Sequence, residues 1–194
     1  MKFSLELSWD TPPEWTQAVL ADFNAFLQDH ADCERKASSM AMSFVAKCPD
    51  RTEIIPELID TALEELEHFK SVYTLMEKRG IRMPDRIPAD SYIASLIALC
   101  RDGRDERLMD RMLLASIIEC RGAERFRLVA EALEDVELKK FYKDLWTSEA
   151  KHGNIFVVMA LTYWPEDAVY NRLNELNEAE GVICSKLPFR AALH

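Results

Sequence analysis

The chain has 194 residues, of which 30% are charged and only five are glycine. This length suits one domain with a sizeable core, and a glycine-poor, charge-rich composition is typical of an all-helical protein. A formal net charge of -10 and a pI near 5.0 argue against a protein that binds nucleic acid over its whole surface, because such proteins usually carry a basic face.

The sequence contains neither an apolar run of the ~20 residues that span a bilayer nor a charged-then-apolar leader. We therefore expect a cytoplasmic protein without membrane contact. The five cysteines agree with a reducing compartment, because their number is odd, they are far apart and none forms a Cys-x-x-Cys pair. Buried thiols are expected rather than disulfides, zinc or an iron-sulfur cluster.

The first half of the chain predicts one short helix followed by two long ones. Thr11-Pro12-Pro13 is typical of a helix start, so an accessory helix is expected at about residues 14–24. Core helices follow at about residues 25–48 and about residues 53–79, with Gly80 ending the second. Residues 81–89 form the predicted crossover to the second half.

The second half repeats this plan. An accessory helix is expected at about residues 89–100, and core helices at about residues 105–133 and about residues 134–164. Pro165 starts a final accessory helix at about residues 165–180, which Gly181 is expected to end. We predict a single domain over residues 1–194 with four core helices and two or three accessory helices.

Each half carries one Glu-x-x-His pair in a helical run, Glu65 with His68 and Glu149 with His152. Residues three apart share a helix face, so both side chains of a pair can bind one metal ion. Both pairs are expected to point inward, because the neighbours at helical spacing are apolar. These neighbours are Leu58, Ala62, Phe69, Val72 and Met76 for the first pair, and Leu138, Tyr142, Leu145, Phe156 and Met159 for the second.

Glu64 and Glu67, by contrast, fall on a polar stripe and are expected to face solvent. Burying a carboxylate such as Glu65 without a partner is costly, and the chain does so in both halves. A bound metal ion is the expected compensation.

A di-metal site in a four-helix bundle needs one further inward glutamate from each of two other helices. Glu34 and Glu119 meet this requirement, 31 and 30 residues before Glu65 and Glu149. The near-equal spacing indicates two helical hairpins related by duplication. Glu124 competes with Glu119, but its stripe is charged, so we expect it to be exposed or to support the ligands. The predicted fold is an all-α, ferritin-like four-helix bundle.

The residues around these ligands resemble the bacterial tRNA hydroxylase family that acts on 2-methylthio-N6-isopentenyladenosine next to the anticodon. The resemblance extends over nearly the whole chain, about residues 8–190. Its motifs are residues 33–37 (Cys-Glu-Arg-Lys-Ala), 64–69 (Glu-Glu-Leu-Glu-His-Phe), 119–126 (Glu-Cys-Arg-Gly-Ala-Glu-Arg-Phe) and 148–152 (Ser-Glu-Ala-Lys-His).

The resemblance implies a non-haem di-iron monooxygenase that hydroxylates the isopentenyl side chain of this nucleoside. It implies two carboxylate-bridged iron ions (Fe2+/Fe3+), O2 as co-substrate, and an external electron donor such as a ferredoxin or a reductase. The tRNA anticodon loop would be the substrate, and no catalytic residue beyond the metal ligands is implied. The implied iron ligands are Glu34, Glu65, His68, Glu119, Glu149 and His152.

Small residues stand beside these ligands, among them Gly122 and Gly153. They either leave room for oxygen or a prenyl chain, or only let helices approach closely. The same six ligands also accept manganese or zinc, so the residues by themselves do not select iron.

Because of the net charge, any tRNA footprint must be local. Arg101, Arg104, Arg107 and Arg111 are the candidates for phosphate contacts. The alternative, favoured for each single arginine, is that they pair with the interleaved acidic residues, as is common in charge-rich helices.

Two other classes of protein stay open. One is another ferritin-like di-iron oxidase, peroxidase or ferroxidase that acts on iron or a small molecule, which the acidic surface favours. The other is a metal-free helical interaction module, which six inward ionisable side chains argue against.

Overall fold

A computed structural model describes residues 5–87 and 89–194 of the chain. Within these residues every regular element is helical, as the composition predicts. There are seven α-helices and one short 3₁₀ helix, Thr52–Ile54, in this part. The α-helices are α1 (Pro13–Ala21), α2 (Phe23–Lys47), α3 (Ile55–Lys78), α4 (Ser91–Ile97), α5 (Arg104–Ala132), α6 (Val136–Leu161) and α7 (Glu166–Cys184).

The chain divides into two compact units. Unit 1 contains the described part of Met1–Thr16, Asp90–Pro188 and His194, and so holds α4 to α7. Unit 2 contains Gln17–Ala89 and Phe189–Leu193, with α2, the 3₁₀ helix and α3. A single domain over the whole chain stays a prediction. The predicted crossover includes Pro88, which lies outside the described residues.

In unit 2 the ends of the two long helices are set by local chemistry. The Asp22 carboxylate accepts a hydrogen bond from the Ala25 N–H at 3.1 Å and so caps α2. After α3, Gly80 adopts a φ of 70°, which glycine tolerates without strain. The Ile81 N–H then reaches the Met76 carbonyl at 2.9 Å, which closes the helix as the sequence predicts.

In unit 1, α5 is buried on several sides and forms the centre of the unit. Its buried residues include Leu108, Met112, Leu113, Ile117, Phe126 and Val129. α6 begins at Asp135, whose carboxylate accepts hydrogen bonds from the backbone N–H groups of Glu137 and Leu138 at 2.9 and 3.1 Å.

The end of α7 differs from the prediction. Gly181 does not end the helix, which continues to Cys184. A Cβ atom at Gly181 would lie 3.1 Å from the Trp9 Cβ, and closer still to Ser8 Oγ. Glycine is therefore needed here because the N-terminal segment crosses the helix closely, not because the helix stops.

No described helix combines the length and the apolar character that crossing a membrane requires. All five cysteines are free thiols, and Cys48, Cys100 and Cys184 are buried.

Candidate metal centre

The first cluster of predicted ligands lies in unit 2. Glu34 comes from α2, and Glu65 and His68 come from α3. His68 Nδ1 lies 3.5 Å from Glu65 Oε2 and 3.7 Å from Glu34 Oε2. Glu34 and Glu65 are only 4% and 1% exposed, and His68 is half-buried. Glu64 and Glu67 are exposed, as the helical pattern predicts.

A hydrogen bond fixes the register of these two helices close to the cluster. Ser38 Oγ, on α2, donates to the Ala62 carbonyl of α3 at 2.8 Å. Ser38 lies one turn after Glu34, and Ala62 lies about one turn before Glu65. The bond therefore holds the two carboxylates at matching depth along the helix pair.

The structure adds a residue to this cluster that the sequence patterns did not single out. His30 lies one turn before Glu34 on α2 and is fully buried. Its Nε2 lies 2.6 Å from Glu34 Oε1. The sequence does contain a signal for His30, because it stands four residues before Glu34 in a run that also contains the buried Phe26 and Leu27.

The second cluster lies in unit 1. Glu119 comes from α5, and Glu149 and His152 come from α6; all three are buried. His152 Nδ1 lies 3.3 Å from Glu149 Oε2. One ligand atom from each of the three residues lies within 4.8 Å of the others, and the same limit holds for the three residues of the first cluster.

The close approach of α5 and α6 sets the geometry of the second cluster. Ser116 Oγ donates a hydrogen bond to the carbonyl of Gly153, the residue after His152. A Cβ atom at Gly153 would lie 2.5 Å from Cys120 Sγ. Glycine at this position therefore lets the two helices approach closely.

Gly122, one turn after Glu119, has a different environment. It is buried, yet a Cβ atom there would meet no atom of the described residues within 4 Å, apart from its own helix backbone and chain neighbours. Of the two interpretations left open by the sequence, one applies to each of these glycines. Gly153 serves helix packing, whereas Gly122 leaves space beside a candidate ligand.

The donor chemistry of both clusters fits a divalent metal. Each cluster places two buried carboxylates and one imidazole within a few ångströms, where the carboxylates repel each other and lack bulk water. A divalent cation removes both penalties, and carboxylate oxygens with imidazole nitrogens suit iron, manganese or zinc. Four carboxylates balance the charge of two divalent ions, so the buried Glu and His residues are compatible with a di-iron site.

Glu124, the competitor of Glu119, belongs to a different network. Its carboxylate accepts hydrogen bonds from the Thr11 backbone N–H and Thr11 Oγ1, both at 2.7 Å, and from Arg121 at 2.6 Å. The sequence predicts that Glu124 is exposed or supports the ligands, because its helical stripe is charged. Glu124 is half-buried and is bound to Arg121, which is 0% exposed.

Burial of Arg121 is compensated by Glu180 of α7. Two hydrogen bonds of 2.9 and 2.8 Å join the guanidinium to both carboxylate oxygens. Tyr92 Oη donates to Glu180 at 3.0 Å. Burial would raise the pKa of Glu180, but the hydrogen bonds and charge of Arg121 hold it below its ordinary value. The pair is therefore ionised inside unit 1.

The arginines proposed to contact tRNA lie at the start of α5 and just before it. Arg101 pairs with the fully buried Asp110 at 2.7 Å, which also binds Arg172 at 2.9 Å. Arg101 therefore follows the pairing alternative, while 42% of its side chain remains exposed. Arg104 is exposed, and Arg107 and Arg111 are half-buried. A role in substrate binding stays a prediction for these four residues.

The helical architecture and the buried Glu and His clusters define a ferritin-like protein, and known structures agree. A Synechococcus protein described as having aldehyde deformylating oxygenase activity superposes with a TM-score of 0.92 at 32% sequence identity. The match covers 97% of this chain and 94% of that one.

Sequence comparison identifies the family within that class. The model of the tRNA-(MS[2]IO[6]A)-hydroxylase (MiaE) family matches residues 3–194. The tRNA 2-(methylsulfanyl)-N(6)-isopentenyladenosine(37) hydroxylase of Pseudomonas putida is 34% identical over 174 residues, 90% of this chain and 84% of that protein. The Salmonella typhimurium protein of the same description is 30% identical over 66% of this chain and 46% of its own length. The chain belongs to the MiaE family of tRNA hydroxylases, which confirms the predicted family.

Proposed function

We propose that this chain hydroxylates the isopentenyl side chain of 2-methylthio-N6-isopentenyladenosine in tRNA, with O2 as co-substrate. Family membership over residues 3–194 supports the reaction. The observation that supports the proposed metal site is the presence of the buried Glu and His clusters. The residues that would hold the two iron ions are Glu34, Glu65, His68, Glu119, Glu149 and His152.

The iron ions supply the capacity to activate O2, and the overall reaction balances only with a reductant. One oxygen atom enters a C–H bond of the side chain, and the other leaves as water with two protons and two electrons. An external donor, such as a ferredoxin or a reductase, would supply the electrons.

The protein's own residues have three tasks in this reaction. The apolar stripes around Glu65 and Glu149 keep bulk water away from these two carboxylates. Ser38 and Ser116 fix the helices that carry the ligands. The open space at Gly122, one turn after Glu119, is where we propose that part of the prenyl chain lies.

The test combines product analysis with isotope labelling. The protein is loaded anaerobically with ferrous iron and mixed with reductant, ¹⁸O2 and tRNA that carries the methylthio-isopentenyl base. Digested nucleosides are then analysed by mass spectrometry. We expect one ¹⁸O atom on that nucleoside, and none without reductant or with tRNA that lacks the isopentenyl group.

Glu65→Ala and Glu64→Ala form a matched pair for this assay. The two glutamates are neighbours, but only Glu65 belongs to the buried cluster, while Glu64 is exposed. We expect Glu65→Ala to lose product and Glu64→Ala to keep it. Product from Glu65→Ala at the normal rate would contradict the ligand assignment.

A second candidate is oxidation of a small molecule. It is favoured by the likeness to the Synechococcus protein and by the net charge of -10. If the loaded protein consumes oxygen with an aldehyde but leaves the tRNA nucleoside unchanged, the di-iron site stands and the substrate assignment fails.

A further inference from the structure

One buried histidine contacts a candidate ligand without belonging to either Glu-x-x-His pair. His30 Nε2 lies 2.6 Å from Glu34 Oε1. As a metal ligand Glu34 would be ionised and could only accept hydrogen bonds, so Nε2 would be the protonated ring nitrogen that donates a hydrogen bond to this oxygen. A contact of this length to a charged group is a strong hydrogen bond.

Packing holds the His30 ring in place. The ring is 0% exposed and lies 6.0 Å from the ring of Phe26, measured between centroids. Both His30 and Glu34 lie on α2 with i,i+4 spacing, so the helix itself keeps them on one face. The hydrogen bond therefore starts from a fixed donor rather than from a mobile surface side chain.

The two oxygens of Glu34 consequently face different groups. Oε1 accepts the hydrogen bond from His30, whereas Oε2 lies 3.7 Å from His68 Nδ1. His68 Nδ1 in turn lies 3.5 Å from Glu65 Oε2. The oxygen that His30 leaves available is thus the one that lies near His68, which in turn lies near Glu65.

We propose that His30 is a positioning residue that engages Oε1 of Glu34 and leaves Oε2 as the oxygen that binds metal. This inference rests on the proposed function, because it presumes that Glu34 is a ligand. Hydrogen bonds to ligating side chains commonly raise metal affinity or activity by about 10- to 100-fold.

The equivalent helix position of unit 1 holds a different residue. The residue one turn before Glu119, the corresponding glutamate of unit 1, is Ala115, whose methyl group donates no hydrogen bond. We therefore expect replacement of His30 to change the binding of the ion held by Glu34 more than the binding of the other ion.

The test compares His30→Phe, which fills the site without the donor, with His30→Gln, whose amide nitrogen replaces Nε2. We expect His30→Phe to bind one of two ferrous ions about 10- to 100-fold more weakly in anaerobic titrations. The Mössbauer spectrum of ⁵⁷Fe-loaded protein should also change for one iron. His30→Gln should restore both measurements towards those of the natural protein.

His194→Phe is the matched control, because His194 is also buried but stacks on Tyr92. It should leave metal binding unchanged. Circular dichroism confirms that each variant folds. If His30→Phe does not fold, His30→Met replaces it, since methionine fills irregular space without a strong donor.

The outcomes separate this inference from the proposed function. If the folded variant without the donor binds iron with normal affinity and shows an unchanged Mössbauer spectrum, the proposed role of His30 is overturned, even if the tRNA product forms. If His30→Phe weakens iron binding and His30→Gln restores it, the proposed role of His30 is supported, even if no tRNA product forms. Natural protein that binds no iron would overturn both.

Discussion

Units 1 and 2 carry the same candidate ligands in different surroundings. In each unit a glutamate on one long helix lies close to a Glu-x-x-His pair on the next. In unit 2 that glutamate, Glu34, accepts a hydrogen bond from the buried His30. In unit 1 the Ser116 hydrogen bond and the close contact at Gly153 join α5 to α6, and a buried ion pair, Arg121 with Glu180, joins α5 to α7.

This difference distinguishes two kinds of residue: side chains that would bind metal, and residues that only hold those side chains in place. Side chains that would bind metal are repeated at nearly equal spacing, because the same ion imposes the same donors. The residues that hold them need only fix a position, and a hydrogen bond, a helix contact or an ion pair can each do so. The expected effect of a substitution decreases from the buried ion pair of unit 1, through the shared ligands, to the helix contact at Gly153.

The largest effect is expected from Glu180→Gln, which removes the charge that compensates Arg121. Both side chains of the pair are 0% exposed, so the variant leaves a buried guanidinium without its counter-charge. We expect the free energy of unfolding, measured by urea denaturation, to fall by about 3–5 kcal/mol. Glu178→Gln, at an exposed position on the same helix, should change it by less than about 0.5 kcal/mol. Equal effects of the two variants would show that the ion pair does not stabilise unit 1.

The shared ligands are tested by Glu65→Ala and Glu149→Ala, one in each unit. Because Glu65 and Glu149 would hold iron directly, each variant should lose bound iron and reduce hydroxylation by at least about 100-fold, more than the usual loss for a residue that only supports a ligand. Iron content and product formation are measured on the same sample. Retention of two irons and full activity in either variant would refute the assignment for that unit.

The ion pair also predicts a pH dependence with a definite sign. The pKa of Glu180 lies below its ordinary value of 4.5, so its ionised form stabilises the folded state above that pH. This contribution is lost as the pH falls through the lowered pKa of the folded protein. The destabilisation caused by Glu180→Gln should therefore be full at pH 7 and shrink in acid. A difference between natural protein and variant that stays constant down to pH 2 would contradict the charge-based account.

Much of the fold and of the site follows from helical periodicity. The stripes around Glu65 and Glu149 predicted which carboxylates are buried, because apolar neighbours at helical spacing identify the inner face. The same rule distinguished Glu65 from Glu64. The ferritin-like class then followed from two hairpins with matching ligands, and structural comparison confirms it.

The supporting residues were harder to predict, since their partners are distant in the chain. Arg121 resembles a surface charge until Glu180, 59 residues later, is placed beside it. Gly181 resembles a helix stop until Ser8 and Trp9 are seen to cross it. His30 is the exception, because its partner Glu34 is only one turn away.

The smallest effect is expected at the helix contact of unit 1. Gly153→Ala would place a Cβ atom 2.5 Å from Cys120 Sγ, which costs about 1–3 kcal/mol of overpacking, offset by about 1 kcal/mol of helix propensity. In a Cys120→Ala background the clash is absent, so the substitution should become neutral or stabilising. A double-mutant cycle on the unfolding free energy should then give a coupling of about 1 kcal/mol. Gly122→Ala is the matched control, because within the described part of the chain its Cβ would meet no atom within 4 Å, which leaves only the propensity gain. If Gly153→Ala behaves like Gly122→Ala in both backgrounds, close helix approach is not the reason for glycine at position 153. The hydrogen bond from Ser116 to the Gly153 carbonyl would then be the contact that sets the position of His152.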